Sequence, residues 1–557
     1  MAFLLIVAGL TALRWSSYQT FAQFLFNDAG AYLRALELSR SDGLTLVQDA
    51  FPYGLLPIVT GRLYALLFGE TPSAVGGLMA LLLVARSAIV LGFALTWRRG
   101  GSLPGAVALL AMTPLISSPL PSPFQALEAL CLTLALVMHA CRRVGAALAC
   151  ATAGVFCKPG LGYVYLALLV VELAVRRHRR GLWGAGHWLR SLAPAGLMAL
   201  GTLALLGLTF GAEVTARTLF PGAGARLYEA ADYGFFRSGA HFWNPAGKRW
   251  TYYLGTPAGL WLLLLGIVLT AGAGALICQL RGRRRGWGRQ SGCVIASAGV
   301  CLVWVACGFG NANTYAYYAQ FLVVPTLAVM AHLREIPRFV LAVLITCLGV
   351  TSAVGEVKLR LHERAGMTRS AETCHLWAPR GLAEDWSALS RQLGDRQAVL
   401  LGGASVAHRF DKRFRPPPSS VWWLMRGTDT PQSIRDTLAE LHQVDHVVLP
   451  LTLDHQPLGT WPEFAGALSQ FRVAWSSAHF RLLSRIAPAA TAPDRPDASL
   501  PRSLRRVPRG GWETNFPAAA RWLGRDPAGA MPRTGFAKVL SWFTGYRPSA
   551  AASPGGS

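Results

Sequence analysis

Residues 24–57 read FLFNDAGAYLRALELSRSDGLTLVQDAFPYGLLP, a polar stretch between a short apolar N-terminal segment and a long apolar run that begins near residue 74. The apolar residues Ala29, Tyr32, Leu33 and Leu36 recur at helical spacing and make one stripe, which predicts an amphipathic helix held at a membrane face. Asp28 stands at its first turn, Gly30 and Ala31 leave room for a ligand, and Asp49 returns before the breakers Pro52 and Pro57. One reading makes Asp28 or Asn27 a helix N-cap. Neither has Glu or Gln three residues on, so no capping box supports it. The other reading gives chemical work to two carboxylates that frame one loop.

The rest of the chain sets that loop in a bilayer. Of 557 residues, 52% are hydrophobic and 15% charged, where a soluble protein carries roughly 25% charged. Mean hydropathy is +0.36. Apolar runs recur at 74–96, 103–116, 124–140, 144–156, 161–175, 192–210, 257–280, 293–308, 321–332 and 339–354. With the first segment they predict about eleven spans, the shorter ones extending into flanking Gly, Pro and Ser. Arg98-Arg99, Arg142-Arg143, the runs at 176–180 and 281–285, and Arg334 with Arg338 all follow even-numbered spans. Short cytoplasmic loops gather Lys and Arg, so this pattern predicts a cytoplasmic N-terminus. The loops 14–73 and 211–256, and everything after 355, then face outward. The net charge of +25 reflects this bias and a basic tail. No basic stripe interleaved with stacking aromatics points to nucleic acid. Residues 1–13 read as an uncleaved anchor, since they lack the basic flank and small-residue cleavage site of a signal peptide. The ten cysteines show no disulfide framework or zinc spacing and read as small buried hydrophobes.

An Asp just beyond a first span, Tyr32-Leu33 one helical turn on, a Gly43-Leu44 turn, Asp49, and Phe51-Pro52 before the next span resemble the first extracytoplasmic loop of the GT-C superfamily. These integral-membrane glycosyltransferases use polyprenyl-phosphate sugars. The likeness is to the protein-mannosyltransferase and aminoarabinose-transferase group, clearest over residues 27–97 and thinner to about 355. Many members carry two acids where this chain has Asn27-Asp28. The resemblance implies a polytopic, mostly α fold with a small extracytoplasmic α/β domain. It also implies transfer of a hexosyl or pentosyl group, with inversion, to a hydroxyl or amine of a lipid, glycan or protein acceptor. A sugar on polyprenyl phosphate already has a good leaving group, so the chemistry needs a base for the acceptor proton and cations for the departing phosphate. Asp28 is the candidate base, and Asp49 would orient the acceptor or, with Asp28, bind a divalent cation such as Mg2+ or Mn2+. No other cofactor is called for.

Further along, Lys158 in FCKPG falls at an outward turn between two short apolar runs. It is either a snorkelling lysine or a phosphate contact, because a charge there is expensive. Glu128 and His139 read as packing or interface residues. The loop 211–256 mixes Arg237, His241, Lys248 and Arg249 with aromatics that include Trp243. It reads either as an aromatic belt on lipid headgroups or as a wall for a lipid-linked donor, with Arg237, Lys248 or Arg249 on its phosphate. Tyr32, His241, Trp243, Asn311, Asn313 and Tyr315 are sugar or acceptor candidates.

Residues 356–486 read as a small α/β domain: a helix at 385–393, a strand from Ala398, a helix from Pro431, a strand from His446 and a hairpin at 471–486. Residues 487–557 are rich in Pro, Ala and Arg and read as a disordered tail. Two rival readings are a transporter or lipid flippase, disfavoured because intramembrane charges look sparse, and a non-catalytic envelope assembly factor. A multi-pass protein of the cell membrane is common to all three.

Overall fold

In the computed structural model, residues 2–13, 19–26, 28–41, 53–96, 103–116, 120, 122–158, 160–178, 181, 184–219, 257–281, 291–307, 319–401, 406–416, 431–451 and 462–486 are described. The chain opens with α1 (Ala2–Leu13), followed by the short α2 (Phe21–Phe26), α3 (Asp28–Ser41) and α4 (Leu56–Phe68). The apolar runs then return as helices: α5 (Pro72–Thr96), α6 (Leu103–Ala111), α7 (Thr113–Ile116), α8 (Pro123–Ala140), α9 (Val144–Cys157), α10 (Leu161–His178) and α11 (Ala185–Phe210). After α12 (Ala212–Leu219) come α13 (Pro257–Leu280), α14 (Ser291–Cys307), α15 (Gln320–His332) and α16 (Glu335–Ala365). Helix is the solution hydrocarbon imposes, since each segment must satisfy its own backbone polar groups. Among the described residues, five helices are long and apolar enough to cross a membrane, within α5, α8, α11, α13 and α16. The fold is that of a multi-pass membrane protein.

One segment departs from the sequence expectation. Residues 56–68 lie in what reads as an outward loop, yet they form α4, with Pro57 in its first turn. A proline there starts a helix as readily as it breaks one, because the lost N–H has no intrahelical partner anyway. The helix buries Ile58 and Val59 and leaves Leu63, Leu66, Leu67 and Phe68 exposed. An apolar free face of this kind suits a helix lying on a membrane surface.

Helix α16 has 31 residues. At 1.5 Å per residue it is about 46 Å long, so it outruns a hydrocarbon core of about 30 Å and carries the chain onward to the strands. There β1 (Met367–Thr368) pairs with β2 (Ala378–Pro379), and α17 (Arg380–Leu393) follows. The five-stranded mixed sheet has the order β4 (Phe414–Arg415), β3 (Ala398–Leu400), β5 (His446–Pro450), β7 (Phe480–Arg485), β6 (Phe471–Ser476). Strand β3 is parallel to β4 and β5, and the β6–β7 hairpin joins antiparallel through β5. The short α18 (Ala407–Phe410), α19 (Pro431–Gln443) and α20 (Pro462–Leu468) complete the layer.

The two faces of this sheet have different partners. Val399 and Val447 pack with Leu441 and Phe464 of α19 and α20. Leu400, Val448 and Leu482 face the other way, into a core shared with α17 and with Phe21, Phe24, Tyr32 and Leu33 of the first-loop helices. Phe21 meets Trp386 edge-on at 5.2 Å and Phe410 at 4.8 Å. The backbone seals the joint: Phe21 N–H donates to Trp377 O, and Trp377 N–H donates to Gln19 O, both at 2.8 Å. The sheet and the loop helices therefore share one hydrophobic core.

Candidate functional site

Asp28 is the first residue of α3, a position where the helix dipole favours a carboxylate. Four residues on, Tyr32 is 0% exposed. Its hydroxyl donates to Pro57 O at 2.8 Å, and its ring meets Phe124 of α8 edge-on at 5.0 Å. This insertion requires Gly61 on α4, since a Cβ there would stand 1.9 Å from the Tyr32 hydroxyl. At the other end of α3, Arg62 donates Nε–H to Ser39 Oγ at 3.0 Å and also bonds the Ser39 carbonyl, a cation satisfying the helix C-terminus. Tyr32 is thus a structural pin that fixes the start of α3 against α4 and α8.

Lys158 ends α9 and is only 7% exposed, so it does not snorkel to a surface. Its Nζ lies 5.5 Å from the centre of the Tyr53 ring, which stacks on Phe124 at 4.5 Å. Gln125 donates Nε2–H to the Tyr53 hydroxyl at 2.9 Å, and the Ser122 hydroxyl bonds Gln125 in turn. The approach is close because Gly54 N–H donates to Cys157 O at 3.0 Å, and a Cβ at Gly54 would meet Phe156 O at 1.8 Å. Glu128, 1% exposed, supplies an opposite charge within electrostatic reach of Lys158. Sequence reasoning sets Glu128 aside, yet a buried carboxylate one helical turn from Gln125 is the natural counter-charge for a buried lysine. The first loop and Lys158 are brought together.

Above α3, the sheet region closes on the loop through charge. Glu37 accepts from Arg34 Nη1 at 2.9 Å, lies 3.1 Å by both carboxylate oxygens from His408 Nε2, and bonds Arg409. Burial alone would raise the Glu37 pKa, but the hydrogen bonds from His408, Arg34 and Arg409 outweigh it and hold the group at about 2. Glu70 pairs with Arg40 at 2.9 Å and with Arg409 at 3.8 Å. These two carboxylates are thus already neutralised. Among the described residues no group of three or more His, Cys, Asp and Glu is placed to hold a metal ion.

Asp28 is described by its backbone alone. Asp49, Arg237, His241, Trp243, Lys248, Arg249, Asn311, Asn313 and Tyr315 lie outside the described residues, as do the loop 220–256 and the tail 487–557. The expectation of sparse intramembrane charge is corrected. Arg86, midway along α5, is 2% exposed and donates to Gln320 Oε1 of α15 at 3.0 Å. It borders a small cavity with Met79, Leu82, Leu83, Leu120 and Ala126. His139 Nε2 lies 2.6 Å from Glu172 and its Nδ1 3.0 Å from the Tyr165 hydroxyl, while Arg176 pairs with the same carboxylate. Glu172 is paired with His139 and Arg176, and Arg86 is hydrogen-bonded to a buried amide, which is how a membrane interior tolerates such groups.

No protein-family model and no curated protein matches the chain. Among solved structures, the crystal structure of ArnT from Cupriavidus metallidurans bound to undecaprenyl phosphate aligns over 88% of this chain and 99% of that one, at 12% identity and a TM-score of 0.50. The same protein in its apo state aligns over 88% and 98%, at 13% identity and a TM-score of 0.40. Over 88% of its length, this chain is similar in fold to ArnT.

Proposed function

We propose that the chain is a GT-C-type membrane glycosyltransferase that moves a hexosyl or pentosyl group from a polyprenyl-phosphate donor to an acceptor hydroxyl or amine, with inversion, on the extracytoplasmic side of the cell membrane. The observation that carries this reading is a fold alignment with ArnT that covers 88% of this chain and 99% of that one; the aligned ArnT is bound to undecaprenyl phosphate. About eleven spans, a cytoplasmic N-terminus and an outward C-terminal sheet belong to the same reading. Asp28, at the head of a helix pinned by Tyr32 and Arg62, takes the acceptor proton as the anomeric carbon is attacked. Lys158, buried against the loop, offsets charge on the departing phosphate, joined by Arg237, Lys248 or Arg249. Asp49 orients the acceptor or, with Asp28, binds a divalent cation.

The test is incorporation of labelled sugar from a panel of polyprenyl-phosphate donors into membranes carrying wild type or Asp28→Asn. Asn is nearly isosteric and caps a helix about as well as Asp, so a structural role predicts retained activity. Loss of the base predicts a rate reduction of about a hundredfold or more at normal protein level. Wild-type rates in the variant would remove Asp28 from the chemistry. A flippase would move lipid without transferring label from any donor, so the same assay separates that reading.

A further inference from the structure

At the end of the α8–α9 hairpin away from Lys158, five arginines converge on one open groove of about 410 Å³: Arg142 and Arg143 from the turn, Arg176 and Arg177 from α10, and Arg190 from α11. Among the described residues, none that lines it is acidic. Glu172, just behind, is engaged with Arg176 and His139. Arg177 is aimed by its bonds to Ser191 Oγ at 2.6 Å and His187 O at 2.8 Å, so its guanidinium is fixed in place.

The backbone adds an independent observation. Arg143 N–H reaches back to Met138 O at 2.8 Å and Arg142 N–H to His139 O at 2.9 Å, the paired closing bonds of a Schellman helix end. The left-handed position of that motif is ordinarily glycine. Here it is Arg142, at φ 66°, so a guanidinium is kept at the groove against a backbone preference.

We propose that this groove is a binding site for an anionic phospholipid headgroup, best one carrying two phosphates, in the leaflet opposite the C-terminal sheet. Basic pockets between helix ends at a membrane face are suited to such headgroups. A lipid, and not a soluble anion, is indicated by the surroundings. Leu173 and Val144 line the groove, and α10 and α11 expose Val171, Val175, Leu189 and Leu197, apolar surface that suits acyl chains.

The test uses full-length protein in detergent, titrated with cardiolipin or with phosphatidylcholine, and counts retained lipid by native mass spectrometry. Wild type should retain cardiolipin in preference to phosphatidylcholine. The Arg143→Gln/Arg190→Gln double variant should lose about tenfold or more of that preference, since each basic residue near an anionic surface contributes roughly a factor of five. Arg143→Lys/Arg190→Lys, which keeps the charge, should lose much less, and Arg281→Gln, at the end of α13 and outside the groove, should lose nothing. Elution as a single monodisperse species checks that each variant folds. Equal retention of the two lipids, an unchanged preference in the Gln double variant, or displacement of cardiolipin by millimolar inorganic pyrophosphate would overturn the proposal.

Discussion

The two ends of the α8–α9 hairpin place cations in opposite settings. At the Ser122 end one lysine is buried beneath an aromatic ring, countered by Glu128 and covered by the first loop. At the Ala140 end five arginines open into a groove, with the nearest carboxylate already engaged. Position on the membrane explains the second set, because exposed arginines are inexpensive wherever a short loop meets headgroups. It does not explain the first. A charge buried this deeply costs desolvation energy, so it is weak evidence for stability and better evidence that the site has a use for the charge.

That difference predicts opposite responses to mutation. Glu128→Ala or Lys158→Met alone should destabilise by about 1–3 kcal/mol, because each removes one of two buried groups within electrostatic reach of one another. The double variant Glu128→Gln/Lys158→Met should recover most of the loss, since coupled partners do not add. Thermal unfolding followed by size exclusion checks this. With stability restored, sugar transfer should remain impaired through donor affinity, by about tenfold for a lost charge-assisted hydrogen bond. Additive losses in the double variant would mean the two groups do not act as a pair.

The next effect in size lies where the sheet region closes on α3. The folded pKa of Glu37 is about 2, below its ordinary value of 4.5, so the folded state holds on to fewer protons between those values. The clamp's contribution is therefore complete above about pH 4.5, declines as pH falls, and is gone below about pH 2. Allowing for solvent screening, about 2 kcal/mol is at stake. The protection of backbone amides over residues 28–41, with exchange corrected for its intrinsic pH dependence, should fall on acidification from pH 5 to 3 in wild type and lose that pH dependence in Glu37→Gln. An identical slope in the variant would assign the acid sensitivity elsewhere, with Asp385 and Asp411 next in line. Both are also held below their usual range despite burial, Asp385 chiefly by His479 and Asp411 by Arg413.

The course of α3 was legible because a stripe of Tyr32, Leu33 and Leu36 is a local signal, and all three are buried. The apolar runs were legible for the same reason, and Lys158 because a charge between two short apolar runs demands an explanation. Arg86 was not legible: one charge inside a 25-residue apolar helix is averaged away, and its partner Gln320 is 234 residues distant. The pairing of Glu37 with His408 crosses 371 residues and leaves no periodic trace in either segment. Helix α4 was hidden by two prolines that read as breakers. Local patterning reveals which face an element buries; the partner it buries against comes only from the fold.

The smallest effect should have the opposite sign. Arg142 occupies a left-handed backbone position that costs a non-glycine residue about 1–2 kcal/mol. Arg142→Gly removes that cost and adds about 0.5–1 kcal/mol of backbone entropy lost on folding. The net expectation is a stabilisation of a few tenths of a kcal/mol up to about 1 kcal/mol in a zwitterionic detergent, read as an unchanged or slightly raised unfolding temperature. Added cardiolipin should then raise that temperature less in the variant than in wild type, because a binding charge has gone while the fold has not suffered. A loss of more than about 1 kcal/mol would place Arg142 among residues that hold the hairpin together by their own contacts. The groove end would then resemble the Lys158 end, and the contrast between a single buried cation held by its surroundings and an open set of cations would fail at its most strained residue.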